Sequence, residues 1–345
     1  MRRLRLLAAA LLVFLLALAA AGCGKVSEVR EPDVFAGEGI KPAPDADRRA
    51  PGGTGTIRIA VVTHGAAASA FWAIVKNGVD AAARQMSVSV SYRSPDTFNV
   101  ERMKAQIYEA VDSRPDGLVV SIPDPAVGPA IRRAERAGIP VVSINSGANL
   151  WRDLGVLAHV GQRETPAGYQ VGKRMAAAGV KRALCVKQEL RNNALDQRCA
   201  GFARGMRAGG ATARDFELDV SDRDVAAPRL RAELAARRAD GVLTLSSDAA
   251  ETSLEAKKEG GRATAAKLAT FDLSPAILEA VKDGRMLFAV DQQAYLQGYM
   301  PIVMLTQQIR YGLFPSMGQT VSTGPNFVTE ENADLALRTS ARGLR

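Results

Sequence analysis

Short apolar runs of strand length alternate with helix-length segments along most of the chain, and this alternation limits the fold more than any other feature. The first run, Thr56-Ile57-Arg58-Ile59-Ala60-Val61-Val62, is apolar on both faces towards its end. A strand in a parallel sheet needs that pattern, because helices cover it on both sides. The spacing then predicts a helix over 70–86, a strand over 87–92, a helix over 100–113, a strand over 117–122, a helix over 127–137 and a strand over 140–144. After a loop over 145–162 the alternation restarts. Helices are expected at 165–178, 194–208, 225–237 and 249–259, with strands at 182–187, 215–220, 241–246 and 267–271. Strand–helix alternation with short connections makes a parallel sheet with helices on both faces. Two such series predict an α/β chain of two doubly wound parallel-sheet domains joined by a hinge. A strand near 286–290, a helix at 295–311 and a terminal extended segment are extra to a simple tandem. They fit if the chain crosses back, giving one lobe from 55–145 plus 292–320 and another from 146–291 plus 321–345. With 345 residues, 47% of them apolar, the chain can bury two cores of ordinary size.

The first residues determine where the chain works. Arg2, Arg3 and Arg5 precede an apolar run from Leu6 to Ala21, and Gly22-Cys23-Gly24 follows. A basic start, a short apolar stretch and small residues are the parts of an export signal, assigned to 1–22. The run is shorter than the ~20 residues a bilayer span needs. Ala20-Ala21-Gly22-Cys23 resembles a bacterial lipobox, with Ala20 where leucine is usual, which implies a lipid on Cys23. An ordinary cleaved signal and an uncleaved anchor are the alternatives, and all three place the chain outside the cytoplasm. The segment 23–54, rich in Pro, Gly and charge and without apolar periodicity, reads as a flexible tether.

The formal charge of +9 is spread over residues interleaved with acids, and no run of five or six Lys or Arg occurs. Nucleic acid is therefore not an expected partner. Cys185 and Cys199 remain as a pair in an oxidising compartment, one in an expected strand and one at the start of the next helix. They are either a disulfide or two buried thiols. Two cysteines and two distant histidines do not make a structural zinc site, and no metal or cofactor is expected.

Ligands of open parallel sheets sit beyond the carboxyl ends of the strands. Residues just after the expected strands are His64, then Ser69, Phe71 and Trp72; Asp124 between two prolines; Asn145 and Ser146; Gln188 and Glu189, with Arg198 on the next helix; Ser247-Asp248; Asp272; and Asp291-Gln292-Gln293. Carboxylates, amides and a guanidinium fork onto vicinal hydroxyls, and aromatic rings cover C–H faces, so the set suits a sugar. Each residue also has a structural reading. Phe71 and Trp72 could pack in a core, although adjacent residues cannot both face it from one helix. Asp124 and Asp272 could cap the helices that follow them, His64 could bond within a loop, and Arg198 could be one surface arginine among many. There is no G-x-S-x-G, H-E-x-x-H or Walker loop, and no nucleophile–base set, so an enzyme is not expected.

From about 56 to 330 the chain resembles the periplasmic sugar-binding proteins of bacterial ABC importers, the ribose-binding type that shares the type 1 periplasmic-binding fold with the lac repressor core. The resemblance rests on Ile57 to Val62, the Phe71-Trp72 pair, Asp116-Gly117-Leu118-Val119-Val120 and Gly138-Ile139-Pro140-Val141-Val142. It continues through Arg198-Cys199-Ala200-Gly201-Phe202, Ala239-Asp240-Gly241-Val242 and Thr270-Phe271-Asp272. It implies a monosaccharide, sugar alcohol or cyclitol held between hinged lobes by a monomer that delivers it to ABC permease subunits. A ligand sensor serving a chemoreceptor or sensor kinase is the alternative. By the same resemblance Phe71 and Trp72 stack on the ligand, Ser69 stands where Asn is frequent, and Asp124 lies near the first-domain carboxylate in a loop one residue shorter. Asn145 and Gln292 are polar contacts by the hinge, Arg198 is the ligand-binding arginine, Ser247 replaces a common Asn, and Asp272 is the second-domain carboxylate. The two serines depart from the ribose pattern. A DNA-binding regulator, the other use of this fold, would need a helix-turn-helix that 25–54 does not offer.

Overall fold

The computed structural model describes residues 55–65, 69–258, 260 and 262–345. The export signal, Cys23 and the tether lie outside the described residues. Among the described residues twelve strands run in chain order as β1 (Arg58–Val62), β2 (Ser89–Arg93), β3 (Gly117–Ser121), β4 (Val141–Ile144), β5 (Ala158–Gly161), β6 (Arg182–Lys187), β7 (Thr212–Glu217), β8 (Gly241–Thr244), β9 (Lys267–Phe271), β10 (Phe288–Asp291), β11 (Thr320–Ser322) and β12 (Asn326–Val328). They form two six-stranded sheets, ordered β11-β5-β4-β3-β1-β2 and β12-β10-β9-β8-β6-β7. Pairing is parallel throughout except between β10 and β12. The expected α/β class with two doubly wound sheets is what the chain adopts.

Eleven helices are described: α1 (Ala70–Met86), α2 (Val100–Asp112), α3 (Gly128–Arg136), α4 (Glu164–Ala177), α5 (Asn193–Ala208), α6 (Arg223–Ala236), α7 (Ser247–Lys258), α8 (Arg262–Ala265), α9 (Pro275–Lys282), α10 (Ala294–Tyr311) and α11 (Ala333–Ser340). Several start at a side-chain cap: Asn99 accepts from the Arg102 amide, Asn192 from Ala194, Asp222 from Asp224 and Val225, and Ser274 from Ile277. Each sheet carries apolar clusters on both faces, so the central strands β3, β4 and β8 are buried along their whole length.

The chain passes between the sheets three times: from β5 into α4, from β10 into α10, and between β11 and β12. Strand β5 belongs to the first sheet, beyond the boundary at 145 expected from the sequence. Its four residues, Ala158-His159-Val160-Gly161, hold a histidine and no apolar run. His159 is buried there against Ser143 Oγ at 3.0 Å from Nδ1. Edge strand β7 lies three residues before the expected 215–220, because Thr-Ala-Arg-Asp-Phe-Glu carries the charges of an exposed edge and no apolar alternation.

In the second lobe Cys185 on β6 and Cys199 on α5 form a disulfide inside the apolar cluster, with Cα atoms 5.8 Å apart. Glycines bring α4 and α5 into backbone contact beside it. A Cβ on Gly168 of α4 would stand 2.1 Å from the Arg198 carbonyl oxygen, and one on Gly201 of α5 would stand 2.1 Å from that of Thr165. The first lobe repeats the device where α1 meets α10, with Gly78 against Tyr295 and Gly298 against Val75. Backbone-to-backbone contact leaves no side chain to yield. Gly201→Ala is therefore expected to cost about 1–3 kcal/mol in urea unfolding, while Gly55→Ala, with nothing within 4 Å of its Cβ, stays near zero.

Candidate functional site

The carboxyl ends of the two sheets face one another across a cleft enclosing about 570 Å³, part of it open to solvent. From the first lobe it is lined by His64, Ser69, Phe71, Trp72, Asn145 and Ser146. The second lobe supplies Gln188, Glu189, Asn192, Arg198, Ser246, Asp248 and Asp272, and Gln292 stands at a crossing. Asn145 and Asp272 follow equivalent strands, β4 and β9, and both hold a left-handed backbone, with φ of 59° and 71°. Asn and Asp tolerate that conformation better than most residues. Asp272 does not cap α9, since Ser274 does.

Arg198 is 2% exposed. Its Nε donates to Glu164 Oε2 at 2.5 Å, and Nη2 donates to Glu164 Oε1 at 3.1 Å and to Gln292 Oε1 at 2.8 Å. The guanidinium lies over the Phe271 ring at 4.7 Å. Nη1 is the nitrogen left out of these bonds. Gln292 Nε2 in turn donates to Asp272 Oδ1. Gln162 Nε2 donates to Glu164 Oε2 at 2.9 Å and to Gln292 Oε1 at 3.2 Å. Gln297 Nε2 donates to the Gln292 carbonyl at 3.0 Å and to Thr323 Oγ1 at 3.2 Å, while its Oε1 accepts from Asn145 Nδ2 at 3.2 Å. One buried network thus joins Arg198 to residues at all three crossings.

The opposite wall is aromatic. Phe71 and Trp72 both pack in the first-lobe core and both reach the cleft, their rings edge-to-face at 5.2 Å. Trp72 lies over Gly65, where a Cβ would fall 1.4 Å from the indole nitrogen. His64 meets Trp72 edge-on at 4.9 Å and shares a 2.8 Å hydrogen bond between Nδ1 and Ser121 Oγ. Burial, aided by the Arg198 charge, pushes its pKa down to about 3. The neutral ring accepts at Nε2 from Asn192 Nδ2, 3.3 Å away, so His64 bonds both to the end of neighbouring strand β3 and across the cleft.

Two expected site residues fall elsewhere. Asp124 does not line the cleft: it accepts from the Ala126 amide at 2.7 Å, capping a short 3-10 turn, and pairs with Arg191 Nε at 3.0 Å. Ser247 is buried at the start of α7, while its neighbours Ser246 and Asp248 line the cleft. Strand β8 ends at Thr244, two residues before the expected end, and α7 begins at Ser247. Glu164 carried no signal, because an acid in a first helical turn reads as a dipole partner. Asn192 read as loop, although N-cap chemistry could have marked it.

Two facing α/β lobes with polar strand ends and a three-strand crossing are now joined by a family match. A model of the periplasmic binding protein domain matches residues 59–312. The chain belongs to this family. Among solved relatives of this periplasmic binding protein is a carbohydrate transporter from Acidothermus cellulolyticus 11B in complex with myo-inositol. It is 32% identical, with a TM-score of 0.79, over 84% of this chain and 100% of that one. A solute-binding protein from Burkholderia graminis C4D1M, in complex with D-arabinose, is 21% identical over 81% of this chain and 98% of that one, with a TM-score of 0.72. The xylose/arabinose-binding protein of Sulfolobus acidocaldarius is 22% identical over 80% of this chain and 72% of its own length. The family is one of binding proteins and not of enzymes.

The cleft leaves a pH signature. Burial raises Glu189 from 4.5 to about 7 against its bond from Asn192, and raises Asp272 from 3.8 to about 7 against Arg198 and Gln292. A carboxyl raised on folding keeps a proton that the unfolded chain has lost, so stability falls as pH climbs from the lower value to the higher. His64 and His159, both lowered from 6.5 to about 3, act the other way and cost stability as pH falls through that range. Against the parent protein, Glu189→Gln and Asp272→Asn should each gain about 1–3 kcal/mol of relative stability between about pH 4 and pH 7, read by urea unfolding at stepped pH.

Proposed function

We propose that this periplasmic binding protein captures a monosaccharide, sugar alcohol or cyclitol in the cleft and delivers it to an ABC permease. The observation that carries the reading is the buried network of Arg198, Glu164, Gln292 and Asp272 facing the Phe71–Trp72 wall. Forked donors and acceptors match vicinal hydroxyls, and the ring faces match the C–H side of a polyol. A cyclitol leads the candidates because the relative with 32% identity was solved with myo-inositol, whereas relatives near 20% identity share the fold alone. Nothing in the geometry favours the sensor alternative.

Delivery would depend on hinge closure about the crossings at Gln162, Gln292 and Thr323. The contacts across the cleft mouth are few and polar: Asp124 with Arg191, the Pro123 carbonyl accepting from the Asn193 amide at 2.8 Å, and Asn192 with His64 and Ser146. Closure is favoured only by contacts that the open form lacks, and the ligand supplies more of them. On this reading the first lobe ends at β5 and resumes through α10 and β11.

Thermal melting against inositols, pentoses, hexoses and sugar alcohols tests the reading. A true ligand at ~100 times its Kd adds ~2.7 kcal/mol, a shift of several degrees. Asp272→Asn and Trp72→Ala should abolish most of it. A shift only with nucleosides or other non-polyols would sink the substrate class. Lipidation of Cys23 would hold the protein at the membrane, and Cys23→Ser should move it from the membrane fraction to the soluble one.

A further inference from the structure

The charge of the cleft narrows its ligand further, resting on the reading of the cleft as a polyol site. Among the described residues, no first-lobe residue in the lining carries a charge, since burial holds His64 neutral. The second lobe presents three carboxyls, Glu189, Asp248 and Asp272, and one cation, Arg198. That cation is already paired. Glu164, buried behind it, takes both Nε and Nη2 in a forked ion pair. Neutral amides bond two of the carboxyls: Asn192 Nδ2 to Glu189 at 2.7 Å, and Gln292 Nε2 to Asp272. The cation acting on Asp248 is Arg223, which is paired with Glu251 at 2.9 Å. The lining therefore carries three carboxyls against one cation, whose charge Glu164 already offsets in part.

We propose that the cleft prefers an amino-substituted polyol, an aminocyclitol or amino sugar, over its neutral parent, with the ammonium held among Glu189, Asp248 and Asp272. Two features besides the carboxyls fit it. The Phe71 and Trp72 rings line the cleft, and an aromatic ring attracts an organic cation to its face. The cleft is also recessed enough to strengthen charge pairing over its value in water. Burial raises Glu189 and Asp272 to about 7 although the Arg198 charge acts to lower both, so a second cation would be accommodated beside them. An ammonium would draw both into their charged forms. The same field repels an acidic sugar.

Calorimetric titration of the exported protein, tether included, decides the matter with matched probes: myo-inositol and an inosamine; D-glucose with D-glucosamine and D-glucuronate; D-galactose with D-galactosamine. The expected result is an amine that binds at least tenfold tighter than its parent, with no detectable binding of glucuronate. Glu189→Gln and Asp248→Asn, tested separately, should each shrink that tenfold gap. Neutral polyols that bind tighter than every amine overturn the preference and leave the polyol reading standing. If folded protein binds neither neutral nor amino polyols, both fall together.

Discussion

The ion pair between Arg198 and Glu164 is the interaction on which the cleft depends. Both side chains are almost wholly buried, at 2% and 1% exposure, and removing two charges from water costs several kcal/mol per ion. The cost is met only when geometry is good and the remaining hydrogen-bonding capacity is used. Here the fork is bidentate, Gln292 takes a second bond from Nη2, and Gln162 satisfies the carboxylate. The pair can form because Gly168 and Gly201 let α4 and α5 touch backbone to backbone. A sequence choice at two glycines thus sets the distance between two charges, and those charges set the field of the site. A lone Arg198 would be free to meet an anion. An Arg198 bound by Glu164 offers a fixed Nη1 and little net charge.

The two lobes solve the same problem twice, with different residues. Strand orders correspond position by position, so β4 and β9 are equivalents, as are β5 and β10. The turns after β4 and β9 hold Asn145 and Asp272 in left-handed backbone, where a short polar side chain costs least. Divergence at these shared positions makes the cleft asymmetric. The first lobe contributes rings and neutral polar groups, and the second contributes the charges. A ligand must therefore satisfy an apolar, uncharged wall and an acidic one together, which neither lobe can offer alone.

Much of this was legible in the sequence. Helix α1 and strands β6 and β9 match their expected limits residue for residue, since buried parallel strands are apolar runs and helices carry a clear period. Reading the residues after each strand found His64, Ser69, Phe71, Trp72, Asn145, Arg198, Asp272 and Gln292, all of which line the cleft. What escaped was decided by tertiary partners. Asp124 has the composition of a ligand carboxylate, yet Arg191, which is distant in sequence, claims it. Glu164 looks like an ordinary first-turn acid until α5 brings Arg198 over it. Ser247 is the first residue of α7 and is buried, while Ser246 and Asp248 on either side of it line the cleft. Strand β5 was hidden because its burial comes from the sheet around it rather than from its own residues.

The hinge explains why the charged site and the crossings belong to one network. Gln292 is at once a crossing residue, a partner of Arg198 and a donor to Asp272. Gln297 ties the same crossing to Thr323 and to Asn145 in the first lobe. A ligand that alters the hydrogen bonds of Arg198 or Asp272 therefore acts one bond away from the pivot. The lobe-to-lobe contacts at the mouth are few polar pairs: the exposed Asp124–Arg191 pair is worth little in water, and the bonds of Asn192 to His64 and Ser146 are buried. Such contacts can align the lobes without locking them. An open and a closed form that differ by only a few kcal/mol can be reset by one ligand's differential contacts, and the acidic wall decides which ligand supplies them.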